Sequence, residues 1–144
     1  LVVVSRFNQD ITQQLLEGAL EVLRAAGWTD GSLDVAWIPG AFELPLAVDR
    51  ALATGRYRLA VALGAVIRGE TSHFEYVAGA AATGLEAAAR ARGIPVGFGV
   101  LTCDTEEQAR ARAGGPEGNK GADAARAALD MRRVLDQLED GASA

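Results

Sequence analysis

Four short apolar runs alternate with segments of helical period along this chain, and that alternation leaves few folds open to it. The runs are Leu1 to Val4, Leu33 to Ile38, Leu59 to Ile67 and Pro95 to Leu101. Strands that are apolar along their whole length, not only at alternate positions, are buried on both faces, as in a parallel sheet covered by helices. After the first run, Ile11, Leu15, Ala19, Leu23 and Ala26 recur at helical spacing. A helix is expected from Asp10 to Ala26, ended by Gly27. A second is expected from Pro45 to Thr54, because proline is tolerated in a first turn and Gly55 stops it. A third, His73 to Arg92, is rich in Ala and Gly, so a neighbour is expected to pack closely on it; Gly93 ends it. Asp104 or Thr105 caps a short helix from Glu106 to Ala113. A loop from Gly114 to Gly121 leads to a last helix, Ala122 to Leu138, and residues 139–144 are expected to fray. The order β-α-β-α-β-α-β-α-α predicts an α/β fold, a three-layer αβα sandwich on a four-stranded parallel sheet with right-handed crossovers. One domain is expected to span residues 1–144.

Composition removes several classes of function. Apolar residues make up 49% of the chain, enough for a real core. The formal net charge is −5 and no basic cluster is present, so nucleic acid is not an expected partner. No apolar run approaches the roughly 20 residues that cross a membrane. The opening LVVVSRFN has no basic segment and no cleavage site, so no signal peptide is expected. The chain starts inside an apolar run without an initiator Met, so residues before Leu1 are expected to be missing. A lone cysteine, Cys103, excludes an internal disulfide and fits a reducing, cytoplasmic setting. A catalytic Cys103 would need the chain's single histidine as its base. One His and one Cys cannot supply a standard metal-ligand pattern, so no metal is expected.

The strongest chemical signal is Leu63 to Val77, LGAVIRGETSHFEYV. A strand empties into a helix through Gly69-Glu70-Thr71-Ser72-His73. The first N–H groups of a helix lack intrahelical partners, and the helix dipole favours an anion there. His73 is the only histidine, and an imidazole beside an anion can move protons. The plainer reading is that Thr71 or Ser72 simply caps the helix. Open parallel sheets bind ligands outside the carboxyl ends of their strands. Those ends carry Arg6-Phe7-Asn8, Ala41-Phe42-Glu43, Arg68 to His73, and Thr102-Cys103-Asp104, which leads on to Arg112 and Lys120. Phe7 suits stacking on a planar heterocycle. Asn8 and Glu43 suit hydroxyls or ring nitrogens. Thr71 with its neighbouring amides, and the guanidinium of Arg112, suit phosphate. Glu70 would repel a phosphate, so only its N–H can serve. Core roles for Phe7 and Phe98, a surface pair of Glu43 with Arg50, and a solvated Arg112 remain open alternatives. Against thirteen arginines stands one lysine, Lys120, which suits a site that needs a compact ammonium. The glycine-rich loop before it lacks the order of a P-loop. The residues by themselves indicate an α/β domain that binds a phosphorylated, partly aromatic small molecule, with the reaction open.

SRFN, PGAFELP, GAVIRGETSHFEYV, GFGVLT and RAGGPEGNKG, in this order and spacing, resemble the 6,7-dimethyl-8-ribityllumazine synthase family of riboflavin synthesis. The resemblance covers nearly the whole chain and implies a flavodoxin-like fold. It implies that a ribitylamino-pyrimidinedione condenses with 3,4-dihydroxy-2-butanone 4-phosphate through a Schiff base, losing phosphate and water, with no cofactor or metal. Carried over by motif, Phe7 stacks on the pyrimidine; Ala41, Phe42 and Glu43 hold the ribityl chain, with Asn8 nearby. Val66 and Ile67 meet the pyrimidine through backbone groups. Gly69, Glu70 and Thr71 cradle the phosphate and Arg112 pairs with it. His73 shuttles protons and Lys120 orients the pyrimidine carbonyl. The family places its sites between subunits of a homopentamer, which implies Phe98, Arg112 and Lys120 from one subunit and Phe7, Glu43 and His73 from the next. The absence of an insertion in RAGGPEGNKG implies an icosahedral shell of twelve pentamers, with a riboflavin synthase as a candidate partner. The family's short N-terminal strand is missing or truncated here, Pro116 replaces a common lysine, and Cys103 a common threonine. Rival implications are a non-catalytic flavin binder, a structural shell protein, and the related archaeal-type riboflavin synthase, which GNKG and PGAFELP fit less well.

Overall fold

The computed structural model describes residues 1–141. Its main sheet holds β1 (Val2–Ser5), β2 (Val35–Ile38), β3 (Ala60–Ile67) and β4 (Val96–Cys103). All pairs are parallel, in the spatial order β2-β1-β3-β4. The chain steps from β1 to β2 on one side and then crosses to β3 on the other, so the order reverses between β1 and β3. A crevice forms at such a point because the loops leaving the two strands diverge to opposite faces.

Helices cover both faces. Val2, Val4, Val61 and Leu63 share one core with Ile11, Leu15 and Leu23 of α1 (Gln9–Ala25) and Ala124, Ala125 and Ala128 of α5 (Lys120–Glu139). Leu1, Val3, Ala60 and Ala62 share the other with Leu44 and Val48 of α2 (Leu44–Leu52) and Leu85 and Ala88 of α3 (His73–Arg92). Successive strand residues point to opposite faces, so two cores require the unbroken apolar runs seen in the sequence. Each buried Val or Leu stabilises the fold by about 1.5–3 kcal/mol. The flavodoxin-like three-layer architecture is therefore as the sequence predicts. Among the described residues no helix is long and apolar enough to cross a membrane.

Element ends differ from expectation by a residue or two in most places. The largest difference lies at Gly114 to Gly121. In place of a loop, β5 (Ala113–Gly115) and β6 (Gly118–Asn119) form a small antiparallel pair. Gly114 and Gly118 adopt φ of 105° and 78°, which permits the tight reversal. Asn119 then caps α5 by accepting from the Ala122 N–H at 3.0 Å, so the helix starts at Lys120, not Ala122. At its far end α5 stays helical through Glu139, which pairs with Arg132 at 3.0 Å. Fraying expected at residues 142–144 lies outside the described residues. A short 3₁₀ turn, Ala41–Glu43, leads into α2, and α4 (Glu106–Ala111) carries a capping box on Thr105. Close packing on α3 holds for one face: a Cβ on Gly84 would lie 2.6 Å from Pro45 Cβ, whereas one on Gly79 would meet nothing within 4 Å.

Candidate active site

A cleft of about 610 Å³ opens where the strand order reverses. Phe7 reaches it from the β1–α1 loop, and Ala41, Phe42 and Glu43 from the 3₁₀ turn. Val66 and Ile67 form its floor at the end of β3. Gly69, Thr71 and His73 enter from the loop into α3. Phe7 and Phe42 are 71% and 61% exposed, so neither is core. Large exposed rings are costly in water and suit a planar ligand.

Local rules explain this presentation. Asn8 stands at φ 57°, the left-handed region that asparagine tolerates better than most residues. Its Nδ2 donates to Ala65 O at 3.0 Å, and Thr12 Oγ1 donates to Ser5 O at 2.7 Å. These bonds fix the loop and turn Phe7 outward. Asn8 itself does not line the cleft, and its amide nitrogen is committed to the backbone of β3. Glu70 also lies outside the cleft wall and is exposed. Among the described residues, the N–H groups of Gly69, Glu70 and Thr71 have no partner within the chain. Ser72 precedes α3 without a side-chain capping bond, and the His73 N–H reaches Thr71 Oγ1 only at 3.4 Å. The capping alternative thus fails for Ser72 and is weak for Thr71, which leaves the positive end of α3 open.

Five residues unassigned from the sequence also line the cleft: Gly40, Ala65 and, on α3, Phe74, Tyr76 and Val77. Tyr76 is 74% exposed. Helical spacing was the available signal, since positions 73, 76 and 77 share a face. Arg68 was likewise unassigned. Its Nε donates to Asp104 Oδ1 at 2.8 Å, its Nη1 donates to Glu75, and its guanidinium lies 4.4 Å from the centre of the Phe74 ring. The Arg68 hydrogen bond holds the Glu75 carboxyl below its ordinary range. That contribution is full above the ordinary carboxylate pKa and is lost as pH falls through the lowered value.

Phe98, Arg112 and Lys120 lie elsewhere. They line a second cleft of about 970 Å³ along the free edge of β4, between the end of α3 and α5. Gly97 permits that arrangement, because a Cβ there would fall 2.2 Å from Ala124 O. Phe98 is half-exposed on the edge strand and is not core. The β5–β6 pair sets the two cations side by side, with the Lys120 N–H donating to Arg112 O at 2.8 Å. Arg112 Nη1 donates to Gln108 O at 3.1 Å, and Lys120 Nζ pairs with Asp123 at 3.0 Å. Glu43 forms no ion pair with Arg50 among the described residues. Burial raises the Cys103 thiol above its ordinary pKa, with Arg112 opposing and Asp104 assisting. Cys103 borders this second cleft and His73 the first, so no Cys–His nucleophile pair forms within the chain.

A model of the 6,7-dimethyl-8-ribityllumazine synthase family matches residues 1–136. The chain belongs to this lumazine synthase family. It is also similar to a Gemmatimonas aurantiaca protein named 6,7-dimethyl-8-ribityllumazine synthase, 56% identical over 137 residues that cover 95% of this chain and 84% of that one. The lumazine synthase match takes in every residue that lines either cleft.

Proposed function

We propose that this chain is a transferase that makes 6,7-dimethyl-8-ribityllumazine from 5-amino-6-(D-ribitylamino)uracil and 3,4-dihydroxy-2-butanone 4-phosphate. One observation carries the reading beyond family membership. The cleft at the strand reversal gathers an exposed ring, a carboxylate, the single histidine and two residues, Gly69 and Thr71, of a loop with three unpartnered amides. Each matches a part of the two substrates: Phe7 the pyrimidine, Glu43 with the Ala41 and Phe42 backbone the ribityl hydroxyls, Gly69 to Thr71 the phosphate. Val66 and Ile67 offer backbone groups to the pyrimidine edge, and Glu70 supplies an N–H alone.

The amine attacks the ketone and water leaves as the imine forms. Phosphate then departs by elimination, and ring closure expels a second water. His73 takes and returns the protons of these steps. Holding two substrates in register supplies most of the acceleration, and acid–base help adds a smaller factor. The phosphate draws Arg112, and Lys120 orients the pyrimidine carbonyl. Both cations line the other cleft of the same chain, so the complete site takes one cleft from each of two neighbouring subunits in a homopentamer. The free edge of β4 and the exposed Met131, Val134 and Leu138 of α5 suit that contact. Twelve pentamers then close an icosahedral shell. The buried, unreactive Cys103 and the metabolite substrates fit a cytoplasmic enzyme.

The test is an assay with both substrates, following lumazine fluorescence and free phosphate together. Coupled release of both is expected. Tight flavin binding with neither product would make the chain a flavin binder or shell protein instead. Sedimentation of the pure protein is expected at shell mass; a lone pentamer would refute the shell.

A further inference from the structure

The loop that would hold the phosphate is tied down by a residue with no assigned part in the reaction. Arg68 directly follows β3, and its N–H adds the last rung of the β3–β4 ladder, donating to Cys103 O at 2.8 Å. Its guanidinium then makes three contacts on two segments. It meets Asp104 beyond β4, Glu75 in the first turn of α3, and the face of Phe74. No side-chain cap fixes the start of α3. The residues Arg68 grips, Phe74 and Glu75, are the two that follow His73. A planar fork can hold two carboxylates and stack on a ring at once, which a lysine ammonium cannot do.

We infer that Arg68 is a positioning residue: it sets the first turn of α3, and with it the Gly69–His73 loop, against the cleft. Charge also bears on this. Arg68 lies beside an anion-binding loop and invites a role as phosphate ligand, yet two carboxylates already offset its charge and hold its Nε and Nη1. It therefore acts through the loop and not on the phosphate. Asp104 immediately precedes Thr105, the cap of α4, and Arg112 closes that helix. One guanidinium thus braces segments that lead to both clefts. The inference deepens the proposed reaction and rests on it for its kinetic readout.

Arg68→Lys, Glu75→Gln and the double variant separate the alternatives, each substrate being varied in turn. Both single variants are expected to lower kcat and raise KM for the butanone phosphate, lowering kcat/KM by about 10- to 100-fold. KM for the pyrimidine should stay within about twofold. The double variant should be no worse than the poorer single one, because both break one clamp. A direct phosphate ligand predicts otherwise: Glu75→Gln would free the guanidinium and tighten phosphate binding. That result overturns the inference. So does a loss of active protein with both KM values unchanged, which marks a purely structural role. Calorimetric titration with inorganic phosphate gives a readout independent of turnover. Its Kd should rise about tenfold in both variants even if the wild type fails to make lumazine, which would sink the proposed reaction alone. Unchanged phosphate affinity would sink the positioning role.

Discussion

His73 and Lys120 could be picked out of the sequence because each is the only residue of its type, and each suits a chemistry the others do not. Asn8 stands out in the sequence for its polar amide, but the bond that amide makes within the chain is not legible there. Its bond to Ala65 O spans 57 positions and exists only once β1 and β3 lie side by side. Removing it should therefore cost stability first. Asn8→Ala loses a hydrogen bond and places Ala at positive φ, together about 1–3 kcal/mol, read as a lower denaturant midpoint. His73→Ala should slow turnover by roughly 10- to 100-fold and leave the rest, because substrate positioning persists. Arg112→Ala should cost more, through the phosphate of the butanone substrate. Steady-state kinetics that rank the two the other way would show that proton transfer, not positioning, dominates.

At the scale of elements, long periodic segments were easy to read and short ones were not. The third helix matches its expected limits because its register and Gly93 mark it clearly. The β5–β6 pair escaped notice because strands of three and two residues are too short to show any period. The capping box on Thr105 was half visible, since Asp104 competes for the same role in the sequence. Thr105→Ala should weaken α4 by about 1 kcal/mol, seen as faster amide exchange there. Gly121 lies where α5 presses on α1, and a Cβ there would come within 2.1 Å of Leu15 O. Gly121→Ala should destabilise the fold by about 2 kcal/mol or more in thermal unfolding, because backbone cannot yield as a flexible side chain does.

The whole molecule holds two clefts, where the residues read without the family resemblance suggest one site. Mixed assemblies test what that means. Chains carrying His73→Ala, refolded with equal amounts carrying Arg112→Ala, should recover about a quarter of wild-type activity if neighbours share each site. Recovery no greater than the two residual activities would place each site within one chain. The sequence by itself determined the αβα fold, because two-sided burial demands unbroken apolar strands and the helical periods between them fix the order. It also determined which residue types carry the chemistry. Only the tertiary structure decided how they group: Phe7 and His73 meet where β1 and β3 diverge, while Arg112 and Lys120 gather on the free edge of β4. Strand order and the hairpin before α5 arise from packing between segments distant in sequence, and no local pattern encodes them.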